Sequence, residues 1–280
     1  MYKVLKNEKI SNDSYLMEVE APLVCKKCMP GQFVIVMGKE DGERIPLTIY
    51  DFNRETGVLS LIYQVIGGST LELSTINDEL FAVQGPLGNA NEICAHPDEF
   101  KGKRIVYVAG GVGIAPVYPQ VKYLHDLGFT VDVIYGARNV DLLLIRDKIE
   151  AVAGQVLYAT DDGSFGVKGF VTTILEGVLN NYDVCVSIGP IIMMKNVCEV
   201  TRKVNMKTIV SMNPLMVDGT GMCGACRVEV DGKAKFACVD GPEFDGHLVN
   251  FDLALSRMKI YVPEEQQKLK EMKERLGIVE

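Results

Sequence analysis

At 280 residues, with 48% apolar side chains, the chain is long enough for two domains and a small appendage with well-filled cores. A net charge of −8 and a pI near 5.1 argue against nucleic acid or an anionic membrane as partner, and no apolar run reaches the length that spans a bilayer. With no signal-peptide pattern at the start, the eight cysteines read as reduced thiols or metal ligands, not disulfides, and the expected compartment is the cytoplasm.

Residues 1–97 predict an antiparallel β-barrel. Tyr15–Glu20, Gln32–Met37, Gly57–Val65 and Leu80–Gln84 read as short strands, punctuated by Pro30-Gly31, Asp41-Gly42 and Gly67-Gly68, with one helical stretch near Ser69–Ser74. From 98 to 212 the pattern alternates between strand and helix. Arg104–Ala109, Thr130–Gly136, Gln155–Thr160, Tyr182–Gly189 and Lys207–Met212 are strands, and the helices between them include one to about His125 and one over Asp141–Ala153. That alternation predicts a doubly wound parallel sheet, so the fold class is α/β plus all-β. Residues 213–251 form a cysteine-bearing module with a hairpin at Asp231-Gly232. Residues 252–280 end in a helix that starts at Pro263-Glu264-Glu265 and lines up Leu269, Met272 and Leu276 for packing against a domain or a partner.

Within the module, Asp218, Cys223, Cys226 and Cys238 stand in the spacing D-x4-C-x2-C-x11-C. It follows the C-x4-C-x2-C…C pattern of plant-type [2Fe-2S] centres, with aspartate in the first position. Sulfide-bridged iron takes anionic, mostly soft donors, and Gly219, Gly221 and Gly224 let backbone amides crowd around a small inorganic core. A zinc site is the alternative, since Cys25-Lys-Lys-Cys28 supplies a second pair, but that pair is far away in sequence with no further ligand beside it. Cys25 and Cys28, like Cys94, Cys185 and Cys198, are expected to be packing residues.

Gly110-Gly111-Val112-Gly113-Ile114-Ala115-Pro116 follows the first apolar strand and opens a helix, where free N–H groups favour a phosphate; the bare alternative is a tight turn without ligand. Asp161-Asp162 and Gly189-Pro190 end later strands, so three such ends on one edge predict a ligand cleft. In the barrel, Arg44-Ile45-Pro46-Leu47-Thr48 combines a cation, a rigid turn and a hydroxyl, with a plain surface hairpin as the alternative, and Gly67-Gly68-Ser69-Thr70 before a short helix is a second anion-binding candidate. His96, His125 and His247 are spaced unlike any triad, and no catalytic acid or base is expected.

In this order, barrel, sheet and cysteine module resemble the ferredoxin–NADP reductase superfamily across essentially the whole chain. More closely, the chain resembles the branch that contains the electron-transfer subunit of class 1B dihydroorotate dehydrogenase and the small (alpha) subunit of NADH-dependent ferredoxin:NADP oxidoreductase, also described as a sulfide dehydrogenase subunit. The resemblance rests on Arg44–Thr48 as the flavin motif, on Ile62-Tyr63-Gln64 and Ser69-Thr70 as further flavin and pyrophosphate contacts, and on Gly110–Pro116 as the nicotinamide-domain turn. It implies FAD on the barrel, NAD(H) in the sheet cleft, a [2Fe-2S] cluster on Asp218, Cys223, Cys226 and Cys238, and a heterodimeric complex with a larger FAD/[4Fe-4S] subunit that reaches ferredoxin. Electron bifurcation would then reside in the partner.

The dihydroorotate-linked subunits carry cysteine where this chain has Asp218, which favours the ferredoxin:NADP group. Asp161 and Asp162 near a ribose would repel a 2′-phosphate and favour NAD over NADP, against the cation Arg138. A redox or metal sensor without turnover is the reading from a different class.

Overall fold

A computed structural model describes residues 1–278; the last two positions of the expected C-terminal segment lie outside the described residues. Seven antiparallel strands build the N-terminal part. Their spatial order is Glu79–Leu80, Tyr2–Lys9, Ser14–Glu20, Val58–Gln64, Ile45–Phe52, Phe33–Met37 and Ala82–Leu87. The two outermost strands are separated in sequence only by Phe81, so the sheet curls round until its edges nearly meet. Alternate residues point inward, and Met17, Val19, Val34, Val36, Leu59 and Leu61 fill the barrel. Cys25 and Cys28 are buried there, Cys28 donating through Sγ to the Val24 carbonyl at 3.1 Å; burial pushes the Cys28 thiol up to about 12. They are packing residues, as are the buried Cys94, Cys185 and Cys198.

The second sheet has the order Val167–Lys168, Val156–Thr160, Val131–Ala137, Ile105–Gly110, Val184–Ile188, Lys207–Ser211, Glu243–Asp245, parallel except for the last strand. Every residue of Ile105–Gly110 is buried, because helices cover both faces of this strand. The order reverses between Ile105–Gly110 and Val184–Ile188, and a crevice opens outside their carboxyl ends. Glu243–Asp245 is an addition from the cysteine module, paired antiparallel to Lys207–Ser211, so the module is stitched into the sheet rather than tethered to it.

The helix expected over Asp141–Ala153 is broken into a short turn, Val140–Leu142, and a helix, Arg146–Glu150. The buried Tyr135 hydroxyl donates to the Leu142 carbonyl at 3.2 Å and accepts from the Leu144 amide at 2.8 Å. Those are backbone groups a continuous helix needs, and Ile145 turns left-handed at φ 49° to leave them there. The Asp231-Gly232 hairpin forms as expected between Arg227–Val230 and Lys233–Phe236, both turn residues having positive φ.

Barrel and parallel sheet meet along the helix Ile114–Asp126. Tyr118 packs on Tyr50 at 5.1 Å, and Lys122 Nζ grips both Asp51 oxygens at 2.8 and 3.0 Å. Because this ion pair is partly exposed, Lys122→Ala is expected to cost no more than about 1 kcal/mol in urea unfolding, and a larger loss would mean that the two halves depend on it to stay docked.

Candidate functional site

A cleft of about 980 Å³ runs from the barrel wall to the carboxyl ends of the parallel strands, at the large end of small-molecule sites. Ile45, Pro46, Leu47 and Thr48 line it from one barrel strand and Ile62, Tyr63 and Gln64 from the next. Tyr63 turns its ring into the barrel, where it stacks on Tyr15 at 5.8 Å and its hydroxyl donates to Asn7 Oδ1 at 2.9 Å. Strand alternation therefore leaves Ile62 and Gln64 on the opposite face. Thr70 lines the rim, its hydroxyl accepting from the Ile66 and Gly67 amides at 3.1 Å each.

The opposite wall is Gly110, Gly111, Gly113, Pro116, Asp161, Gly189 and Pro190. Gly113 is there because of close approach: a Cβ on it would lie 2.3 Å from the Ile188 carbonyl oxygen. Gly111 has φ +55° and open space where a Cβ would stand, so this turn exposes bare backbone to the cleft.

Four of the residues picked from sequence stand outside the lining. Ala115 is buried behind the turn. Asp162 turns away, accepting from the Ser164 amide at 2.9 Å. Ser69 donates to Glu43. Arg44 reaches Gln84 Oε1 at 2.5 Å, and Gln84 in turn donates to the Asp218 carbonyl at 3.1 Å, so the cation braces the glutamine that bridges the barrel and the cysteine module.

Sequence reasoning missed Gln84 as well as Asp13, which accepts from Gln64 at 2.6 Å and lies 3.7 Å from Arg138 across the cleft. Phe170, more than half exposed on the cleft wall, was also missed, since a lone apolar residue in a connecting segment carries no pattern.

The cysteine loop sits directly on the barrel. Gly219, Gly221 and Gly224 all have positive φ, and a Cβ at Gly219 would lie 2.7 Å from both Ile35 and Leu87. Cys226 and Cys238 are buried with their sulfurs 3.1 Å apart, and the Gly221 amide is directed at the Cys238 sulfur. Cys223 is exposed on the loop.

Asp218 clasps the loop shut. Oδ1 accepts from the Thr220 amide and hydroxyl at 2.5 and 3.0 Å, and Oδ2 accepts from the Cys223 amide at 2.7 Å. These donors, Thr220's amide foremost, hold its carboxyl at about 2 and keep it ionised. Among the described residues no three His, Cys, Asp or Glu side chains converge as a metal cage. The donor chemistry nevertheless fits an iron–sulfur loop: two adjacent buried thiols, a third thiol on a glycine-rich turn, an amide aimed at sulfur and an ionised carboxylate.

Phe33 and Met216 join the two sites. Both line the cleft, and both belong to the apolar cluster that contains Cys226 and Cys238.

Residues 213–250 match the model of the iron-sulfur cluster binding domain of dihydroorotate dehydrogenase B. Over 271 residues the chain is 43% identical to a Thermotoga maritima protein described as a dihydroorotate dehydrogenase B (NAD(+)) electron transfer subunit homolog, covering 95% of this chain and 93% of the relative. The chain belongs to the dihydroorotate dehydrogenase B electron-transfer subunit family. Another relative in Clostridium beijerinckii, described as an uncharacterized protein in the adh 3′ region, is 48% identical over 98% of this chain and 95% of its own length. Among solved structures, a chain from NADH-dependent reduced ferredoxin-NADP oxidoreductase, studied for flavin-based electron bifurcation, superposes with a TM-score of 0.86 at 38% identity, covering 99% of this family member and 98% of that chain. Among the described residues, no helix is long and apolar enough to cross a membrane.

Proposed function

We propose that this family member is the electron-transfer subunit of a ferredoxin:NADP oxidoreductase complex. It carries electrons between NAD(H) and a larger FAD/[4Fe-4S] partner by way of its own FAD and [2Fe-2S] cluster, in the cytoplasm. The single observation behind this reading is the shared wall of Phe33 and Met216, which puts one apolar side-chain layer between a dinucleotide-sized cleft and the buried thiols. FAD supplies the ability to take an electron pair from a nicotinamide and release it singly, and the cluster the ability to take one electron at a time.

The chain's own residues bind and orient. Ile45, Pro46, Leu47, Thr48 and Ile62 offer a mostly apolar wall with one hydroxyl to the flavin, and Gln64 an amide. Ser69 and Thr70 lie at its pyrophosphate end. Arg44, through Gln84, fixes the barrel strand against the cluster loop. Gly110, Gly111 and Gly113 give the nicotinamide nucleotide close access to backbone, with Pro116, Gly189 and Pro190 beside them. Ala115 and Asp162 support the turns from behind.

Asp161 faces the cleft and favours NAD, because the cation that could offset a 2′-phosphate, Arg138, already has Asp13 as a partner. Asp218, Cys223, Cys226 and Cys238 are the proposed iron ligands. The domain division proposed from sequence, 1–97, 98–212, 213–251 and 252–280, assigns FAD, NAD, cluster and tail in that order.

A second reading, the electron-transfer subunit of a dihydroorotate dehydrogenase, is favoured by the match of residues 213–250 to that enzyme's cluster domain. Asp218 in place of cysteine weighs against it. Anaerobic mixing of the purified chain with NADH should bleach the flavin absorbance and then reduce the cluster; NADPH should do so markedly more slowly. A colourless protein with stoichiometric zinc would overturn the proposal, and purification with a dihydroorotate-oxidising partner would select the second reading.

A further inference from the structure

The C-terminal tail runs from the cluster loop to the flavin end of the barrel. Its first helix, Phe251–Arg257, is anchored by Arg257 donating to the Ala225 carbonyl at 3.3 Å, between Cys223 and Cys226. Its second helix, Val262–Arg275, lies on the helix Gly68–Leu73. The approach is close enough that a Cβ on Gly68 would stand 2.9 Å from the Lys268 carbonyl oxygen, and Met272 is buried in the contact. Arg275 and Lys39 both pair with Glu72, at 2.5 and 2.7 Å, and fasten the far end.

At the near end Lys268 Nζ pairs with Glu43, and the same carboxyl group accepts from the Ser69 hydroxyl. One carboxylate thus holds together a hydroxyl beside the cleft rim and a cation delivered from about two hundred residues downstream in a geometry an anionic oxygen group of a ligand could also satisfy. Burial works against ionisation of Glu43, but the Lys268 and Ser69 hydrogen bonds and the Lys268 charge hold its carboxyl below the usual range, so it stands there as an anion.

We propose that Lys268 is a cofactor-binding residue: the C-terminal helix supplies it as the cation for the diphosphate of the dinucleotide on the barrel, and Glu43 is the resident anion that holds Lys268 and Ser69 in place and competes with that diphosphate. The proposal rests on the flavin reading of the barrel given above. It also gives the tail a definite task, because a helix docked only for solubility or partner contact has no need to carry its lysine to the Ser69 turn.

The test uses the full chain, reversibly stripped of flavin, with FAD binding followed by flavin fluorescence. Lys268→Ala should weaken FAD binding by about three- to tenfold and Lys268→Arg should restore most of it, the range expected for one charge-assisted contact at a partly exposed site. Glu43→Gln should tighten binding, since it removes the competitor and leaves Lys268 free. Unchanged affinity in Lys268→Ala overturns the proposal, and so does a Glu43→Gln variant that binds as weakly as Lys268→Ala, which would make the ion pair merely structural. Thr48→Ala, which removes the hydroxyl that lines the cleft, serves as the control: if neither it nor Lys268→Ala alters FAD binding, the flavin reading itself falls, whereas an effect of Thr48→Ala alone rejects only the role of Lys268.

Discussion

Cys238→Ser is expected to uncouple the chain: NADH still bleaches the flavin, while iron content, the electron-paramagnetic signal of the reduced cluster and delivery of electrons to an external acceptor are lost. The loss should exceed the roughly 10–100-fold that changes beyond the ligands cost a metal site, because the substitution removes a donor itself. Cys238 is chosen because it is buried, 3.1 Å from the Cys226 sulfur, and cannot be replaced from solvent. Cys223 is exposed, so its serine variant should lose the cluster more slowly, by release over hours rather than failure to assemble.

Asp218 separates two roles in the same experiment. As the clasp seen here it accepts from three donors, and Asp218→Ala leaves the Thr220 and Cys223 amides without their acceptor. As an iron ligand it must also lend an oxygen to the metal, in which case Asp218→Cys shifts the electron-paramagnetic spectrum toward that of a four-thiolate centre. A Cys238→Ser protein that keeps its iron would strike Cys238 from the ligands, and one that loses its iron yet passes electrons normally would remove the cluster from the proposed route.

Local pattern carried much of the fold into the sequence. Ile105–Gly110 reads as a buried parallel strand because every residue is apolar or glycine, and the Asp231-Gly232 turn is legible because few residue pairs tolerate two positive φ angles in succession. The glycines around the cysteines were legible for the same reason. What escaped were side-chain contacts that no periodicity or motif announces. Nothing around Tyr135 announces that its hydroxyl will claim the backbone at Leu142 and Leu144 and break a helix. Gln84 lies in an ordinary strand, and its link from Arg44 to the Asp218 carbonyl exists only once the barrel and the loop are docked. Glu243–Asp245 is three residues long, too short for periodicity, and becomes a strand only because Lys207–Ser211 offers a free edge. Ser69 and Arg44 were found by motif, yet their hydrogen-bond partners, Glu43 and Gln84, had no motif to reveal them.

Glu243 makes the remaining large effect one of pH. Its carboxylate lies where barrel, nucleotide domain and cysteine module meet, and it accepts from Asn91 Nδ2 at 2.7 Å and Gln120 Nε2 at 3.0 Å. Asn91 and Gln120 are themselves fully buried. Burial pushes the Glu243 carboxyl up to about 7, with Glu92 adding to the rise and the two amide hydrogen bonds opposing it. Cys94 and Tyr107 face the same pocket, and burial keeps both protonated.

A raised folded-state value means that the native chain binds more protons than the unfolded one between the ordinary carboxyl value of 4.5 and about 7. Stability from this group is therefore complete below 4.5 and falls as the pH rises through 7, by a total of roughly 3 kcal/mol at about 1.4 kcal/mol per unit. The neutral form has a partner waiting: Gln120 Oε1 is buried without a hydrogen bond, and turning that amide over would let it accept from a protonated Glu243. Glu243→Gln can use the same flip. It should match the parent in stability near pH 4.5 and exceed it by roughly 2–3 kcal/mol at pH 8, read as a difference in urea midpoints between the two proteins. Parallel stability curves across that range would show that Glu243 is ionised in the folded chain throughout, with Asn91 and Gln120 sufficient to hold its charge at the three-way junction.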